Sequence, residues 1–137
     1  MIKTNEIRHK RRCVFNLNIH LVFITKYQKC MFEKYHLNYM EKIFSKVCED
    51  FDSELKEFNR EKDHVHLLLK YPPTISISKL VNSLKGVSSR LLRKNYLDLK
   101  KYYIEKALWS PSYFAGSCGG TTIEIVKRYI ENQQSPH

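Results

Sequence analysis

His64 and His66, separated by Val65, are two imidazoles that a β-strand would set side by side, because alternate residues of a strand share a face. Neutral imidazole nitrogens donate well to a divalent cation, and two at this spacing can hold one together. Far along the chain, Tyr129 and Gln133 lie four residues apart, the spacing that places two side chains on one face of a helix. A phenol and an amide oxygen on that face can meet the histidines if the helix lies over their side of a sheet. A cation held by neutral donors keeps most of its positive charge, so it can polarise a scissile phosphate and stabilise the charge of in-line attack. Tyr129 would then be the nucleophile. Its ordinary pKa is about 10, so its proton must leave during attack to water, substrate or a neighbour, and the sequence names no acceptor. A phosphotyrosine link conserves the phosphodiester energy, which separates strand transfer from hydrolysis. Each of these residues also has an ordinary structural reading: a hydrogen-bonded histidine pair, an amphipathic aromatic at a helix boundary, a solvated amide.

The elements that must position these groups follow from periodicity. Phe15, Leu17, Ile19 and Leu21 alternate with Val14, Asn16, Asn18 and His20, which predicts a half-buried strand over about 13 to 24. Met40, Ile43, Phe44, Val47 and Phe51, starting from Leu37, recur at helical spacing and predict a first helix. The stretch 54 to 59 leads into an apolar run from His64 to Tyr71 stopped by Pro72 and Pro73, which reads as a hairpin of second and third strands. Ser76 can cap a second helix whose stripe is Ile77, Leu80, Val81, Leu84, Val87, Leu91 and Leu92, ending near Tyr96. Trp109 to Ser117, closed by Gly119 and Gly120, predicts a fourth strand. Thr121 or Thr122 then caps a last helix with Ile123, Val126 and Ile130 that reaches about Gln134. The order βαββαβ plus a terminal helix is the α+β, ferredoxin-like arrangement, an antiparallel sheet with two helices on one face. Val65, Leu67 and Leu69 would face those helices, leaving His64 and His66 on the other side.

The 137 residues suit a single domain spanning 1–137, and 42% hydrophobic with 28% charged residues fits an ordinary globular chain. The longest apolar-rich stretch, Val14 to Ile24, is broken by Asn16, Asn18 and His20, so no transmembrane helix is expected. The basic N-terminus lacks the apolar run and cleavage site of a signal peptide, which leads us to expect a cytoplasmic protein. Cys13, Cys30, Cys48 and Cys118 have no CxxC pairing and read as reduced thiols. The 24 Lys and Arg against 14 Asp and Glu give a net charge of +10, a field that attracts polyanions and makes nucleic acid the leading partner. Arg11, Lys85, Arg90 and Arg93 are candidate phosphate contacts on charge alone, and any single basic run can equally be a solvated face.

Asp63-His64-Val65-His66 resembles the His-hydrophobic-His signature of the HUH nucleases. The stretch Tyr129 to Gln134 resembles the single-tyrosine helix of the TnpA transposases of small bacterial insertion sequences. Three further segments resemble the same family: Asn18 to Phe23 with Lys26 and Tyr27, Lys85 to Arg93, and Leu108-Trp109-Ser110 with Tyr113-Phe114 and Gly119-Gly120. By that resemblance, His64 and His66 match the histidine ligands, Gln133 the third ligand and Tyr129 the nucleophile. It further implies excision and insertion of a single-stranded element through 5′-phosphotyrosine links, recognition of DNA hairpins, a magnesium or manganese ion, and a homodimer whose active sites are shared between subunits. Two other readings stay open. One is a non-catalytic nucleic-acid binding module of RNA-recognition type, which would carry stacking aromatics at the sheet centre. The other is a metal-dependent nuclease that uses water, with Tyr129 structural.

Overall fold

The computed structural model describes residues 8–10, 13–102, 107–118 and 123–133. Its centre is a four-stranded antiparallel sheet of β3 (Leu17–Ile24), β4 (Glu54–Arg60), β5 (His64–Tyr71) and β6 (Phe114–Ser117), in the order β4-β5-β3-β6. Helices α1 (Lys34–Asp50) and α2 (Ile77–Asn95) form the two crossovers, and α3 (Ile123–Asn132) follows the last strand. This is the expected α+β arrangement, with β3 and β5 in the middle of the sheet.

One face of the sheet is dry. Leu21 and Phe23 from β3, and Val65, Leu67 and Leu69 from β5, are fully buried against Met40 and Phe44 of α1 and Leu80, Leu84 and Leu92 of α2. Burying each such side chain contributes about 1.5–3 kcal/mol relative to leaving it in water, so this face supplies most of the cohesion. Ser76 caps α2 as expected, its hydroxyl accepting from the Lys79 backbone N–H at 3.3 Å.

The first expected strand is two. Asn16 interrupts it, so that β2 (Cys13–Phe15) turns away to pair with β1 (Arg8–Lys10) in a separate hairpin while Leu17 begins β3. An exposed asparagine prefers local hydrogen bonding to a ladder, and Asn16 Oδ1 accepts from Asn18 Nδ2 at 3.0 Å. Helix α1 starts three residues earlier than its apolar stripe, because His36 Nδ1 accepts the Glu33 backbone N–H at 2.9 Å and closes the first turn. The fourth strand is short: Pro111 and its serine neighbours leave the ladder, and Trp109 meets Thr25 only in an isolated bridge. The expected turn at Gly119 and Gly120, the caps at Thr121 and Thr122, and Arg11 lie outside the described residues. Among the described residues no helix is long and apolar enough to cross a membrane.

Candidate active site

Period-two alternation along β5 sends Val65, Leu67 and Leu69 into the core and leaves His64 and His66 half-buried on the face away from α1 and α2. Directly opposed residues of antiparallel strands share a face, so His66 lies beside Val22 of β3 and Asn59 of β4, and Val22 in turn beside Phe114 of β6. By the same register His64 lies beside Ile24. Val22 and Ile24 are fully buried although they belong to the face without α1 and α2, so the two histidines rise from an apolar floor.

Each histidine has a partner that orients it. His64 Nδ1 is 2.8 Å from Asp63 Oδ1. A carboxylate only accepts, so Nδ1 carries the hydrogen and the Nε2 lone pair of His64 is left for a cation. The second oxygen of Asp63 accepts from Gln28 Nε2 at 3.2 Å, and its backbone carbonyl accepts from Thr25 N at 2.9 Å and Thr25 Oγ1 at 3.1 Å. His66 Nε2 is 2.9 Å from His20 Nδ1, the rings 5.0 Å apart, and His20 Nε2 is 3.6 Å from the Cys118 thiol. Burial holds the pKa of His66 below its ordinary value, His20 and His64 push it the same way, and Glu57 opposes them. His66 is therefore a neutral imidazole at neutral pH, the form that donates to a metal.

Tyr129 and Gln133 converge as their spacing predicts, on one side chain of the preceding loop. The Tyr129 hydroxyl is 2.9 Å from Ser112 Oγ, and Ser112 Oγ donates to Gln133 Oε1 at 3.4 Å. The Tyr129 ring rests against Phe114, centroids 5.7 Å apart. Burial raises the pKa of Tyr129, with the Ser112 hydrogen bond pulling the other way. Phe114 is the cross-strand neighbour of Val22, and Val22 of His66, so the Tyr129 ring rests on a residue of the same sheet face as His66, with Phe114 two strands away from the histidine. The four residues thus come to one face as two pairs, His64 with His66 and Tyr129 with Gln133.

The donors suit a small divalent cation: one neutral imidazole, a second with a free lone pair, and an amide oxygen. Among the described residues no three His, Cys, Asp or Glu side chains surround a point that could hold a metal.

The basic candidates separate. Lys85 Nζ donates to the backbone carbonyls of Ser110, Pro111 and Ser112 at 2.8, 3.4 and 3.2 Å, and burial lowers its pKa. Its ammonium therefore fastens the loop that carries Ser112. Arg93 Nε donates to Ser89 O at 3.2 Å, while Arg90 is exposed. Sequence reasoning missed His20, Asp63 and Ser112 as parts of the site. His20 sits in the alternating run of β3 and Asp63 directly precedes His64, but only the strand register and the loop path bring the three to their partners.

The family model for "Transposase IS200 like" matches residues 13–133. The chain is 33% identical over 119 residues to the transposase for insertion sequence element IS200 of Salmonella typhimurium, covering 87% of this chain and 78% of that one. It is 30% identical over 128 residues to the ISDra2 transposase TnpA of Deinococcus radiodurans, covering 93% and 91%. Among solved structures, the crystal structure of a candidate transposase from Deinococcus radiodurans R1 superposes with a TM-score of 0.86 at 29% identity, over 94% of this chain and 99% of that one. A REP-associated tyrosine transposase, solved bound to a REP hairpin, shares the fold with a TM-score of 0.58 at 10% identity, over 90% of this chain and 68% of that one.

Proposed function

Because this chain belongs to the IS200-like transposase family, whose members cut and transfer DNA strands, we propose that it cleaves and rejoins single-stranded DNA with Tyr129 as nucleophile. The observation that carries this reading is that Tyr129 and Gln133 share Ser112 over the same sheet face that bears His64 and His66.

The Tyr129 oxygen attacks the scissile phosphorus in line with the 3′ oxygen. A phosphorus–oxygen bond to Tyr129 forms, the bond to the 3′ oxygen breaks, and the products are a free 3′-hydroxyl and a 5′-phosphotyrosine. Rejoining reverses the roles: a 3′-hydroxyl attacks the same phosphorus and the phenol is released. Burial keeps Tyr129 a phenol before attack, and its hydrogen bond with Ser112 Oγ holds the attacking oxygen in place. His64 and His66, with Gln133 as third donor, would hold the cation, and Asp63 fixes the tautomer of His64 for that purpose. Mg2+ or Mn2+ bound there would supply positive charge to the non-bridging phosphate oxygens. The apolar floor of Val22 and Ile24 limits water around the phosphotyrosine, which favours transfer over hydrolysis.

The further parts of the reading are a hairpin-bearing substrate, a homodimer and active sites shared between subunits. A neighbour of the same fold takes a REP hairpin, and the net charge of +10 suits a folded polyanion. In a two-fold dimer α3 would carry its tyrosine to the partner's histidines.

The deciding experiment traps a covalent adduct between the protein and labelled single strands containing hairpins. An adduct lost in Tyr129→Phe supports the transferase; cutting without an adduct favours a water-using nuclease, and binding without cutting a recognition module. Mixing His64→Ala with Tyr129→Phe chains separates the two geometries, since only shared sites restore cleavage in the heterodimer.

A further inference from the structure

The turn that follows β3 holds an unusual backbone. Tyr27 has φ 58° and ψ 23°, and Gln28 has φ 52°, so two consecutive residues with side chains occupy the left-handed region. L-residues with side chains are strained there, and such residues persist only where their surroundings enforce them. The surroundings do so. Thr25 N and Thr25 Oγ1 donate to Asp63 O, Lys26 N to Leu108 O at 2.9 Å, Gln28 N to Thr25 O at 2.8 Å, and Thr25 Oγ1 also to Lys29 O at 2.8 Å.

This locked turn displays an aromatic ring in water. Tyr27 is 62% exposed, and its ring meets the Lys26 ammonium at 5.8 Å. Within the same turn Gln28 Oε1 is buried with no hydrogen-bond partner among the described residues. Two left-handed residues held in place by this network, together with one acceptor left unmatched, make a costly shape that the turn keeps, which marks it as shaped for something outside the chain. Its position says what. Ile24, the last residue of β3, pairs with His64, and the two oxygens of Asp63 join the turn to the site, one bonded to Gln28 and the other to His64.

We propose that Tyr27 is a stacking platform for an unpaired nucleobase of the strand whose scissile phosphate lies at His64 and His66, with Lys26 and Lys29 beside the flanking phosphates. This rests on the single-strand reading above. Bases stack on exposed aromatic rings with little sequence preference, and a ring on a rigid turn loses little entropy in doing so. Asp63 then has two tasks, orienting a metal-ligating imidazole and fixing the distance between that imidazole and the stacked base.

The test uses the full chain carrying Tyr129→Phe, so that the strand stays uncut, and a labelled single strand containing 2-aminopurine. Tyr27→Gly is expected to weaken binding by roughly 5- to 150-fold, the range of one lost base stack. The salt dependence should be unchanged, because no cation is removed. The melting temperature should not fall, because glycine relieves the left-handed strain. Tyr27→Phe and Tyr27→Trp should both restore affinity to within about twofold of the parent and restore the quenching of 2-aminopurine. The proposal is overturned if Tyr27→Gly binds like the parent, if Tyr27→Phe fails as badly as Tyr27→Gly, or if the salt dependence weakens along with the affinity. A parent that binds no single strand would remove the functional reading and this inference together, whereas a parent that binds and a Tyr27→Gly that binds equally well would remove this inference alone.

Discussion

The two faces of β5 use one run of residues for opposite ends. Toward α1 and α2 stand Val65, Leu67 and Leu69, each fully buried in the hydrophobic core. Away from the helices stand His64 and His66, half-buried and each tied to a titratable partner. The dry face holds the strand in place by buried area, which tolerates conservative change, whereas the open face depends on atoms at hydrogen-bond distance.

The sharpest contrast is in what substitutions break. Tyr129→Phe on the open side is expected to lower strand cleavage by a factor of about 10^4 or more while leaving the unfolding midpoint and hairpin binding near the parent values, measured by gel assay and denaturant titration. Leu67→Ala on the dry side should do the reverse, costing about 2–5 kcal/mol of stability with little change in rate per folded molecule. If Leu67→Ala altered the rate of the folded fraction as strongly as Tyr129→Phe, the division between faces would fail. Asp63→Ala comes next. It leaves His64 without its orienting carboxylate and is expected to lower metal affinity by about 10- to 100-fold, read by calorimetry with Mn2+.

Smaller effects separate the basic residues. Lys85→Met should lower stability by about 1–3 kcal/mol, since three carbonyls lose a charged donor, yet leave the salt slope of DNA binding intact. Arg90→Gln should leave stability within about 0.5 kcal/mol and reduce that slope by about one. The smallest effect is in pH. His66 binds its proton below 6.5, so the unfolded chain takes up more protons than the folded one in the window beneath 6.5, and stability falls as pH falls through it. A urea titration repeated at falling pH should show the unfolding midpoint dropping as His66 takes up its proton; a midpoint that rises as pH falls would reverse the assigned direction.

Most of the dry face was legible in the sequence, because burial writes a period of two or 3.6 into apolar residues and Ser76 announces its helix. The paired spacings of His64 with His66 and Tyr129 with Gln133 were legible for the same reason. The rest depends on separations that no local pattern records. His20 reaches His66 only through the register of β3 on β5, and Ser112 reaches Tyr129 only because Lys85 fastens its loop. The break at Asn16 was hidden because the alternation continues through it while the ladder changes partner.

The strand order has a consequence in time. β4 and β5 are joined by a three-residue turn and pair early, and α1 packs close to them in sequence. β6 pairs only with β3, Ile19 opposite Ser117, so that closure spans most of the chain and carries the largest loop-closure entropy of the sheet. During synthesis His64 and His66 therefore have their β4–β5 hairpin before the strand on which the Tyr129 ring rests has been made.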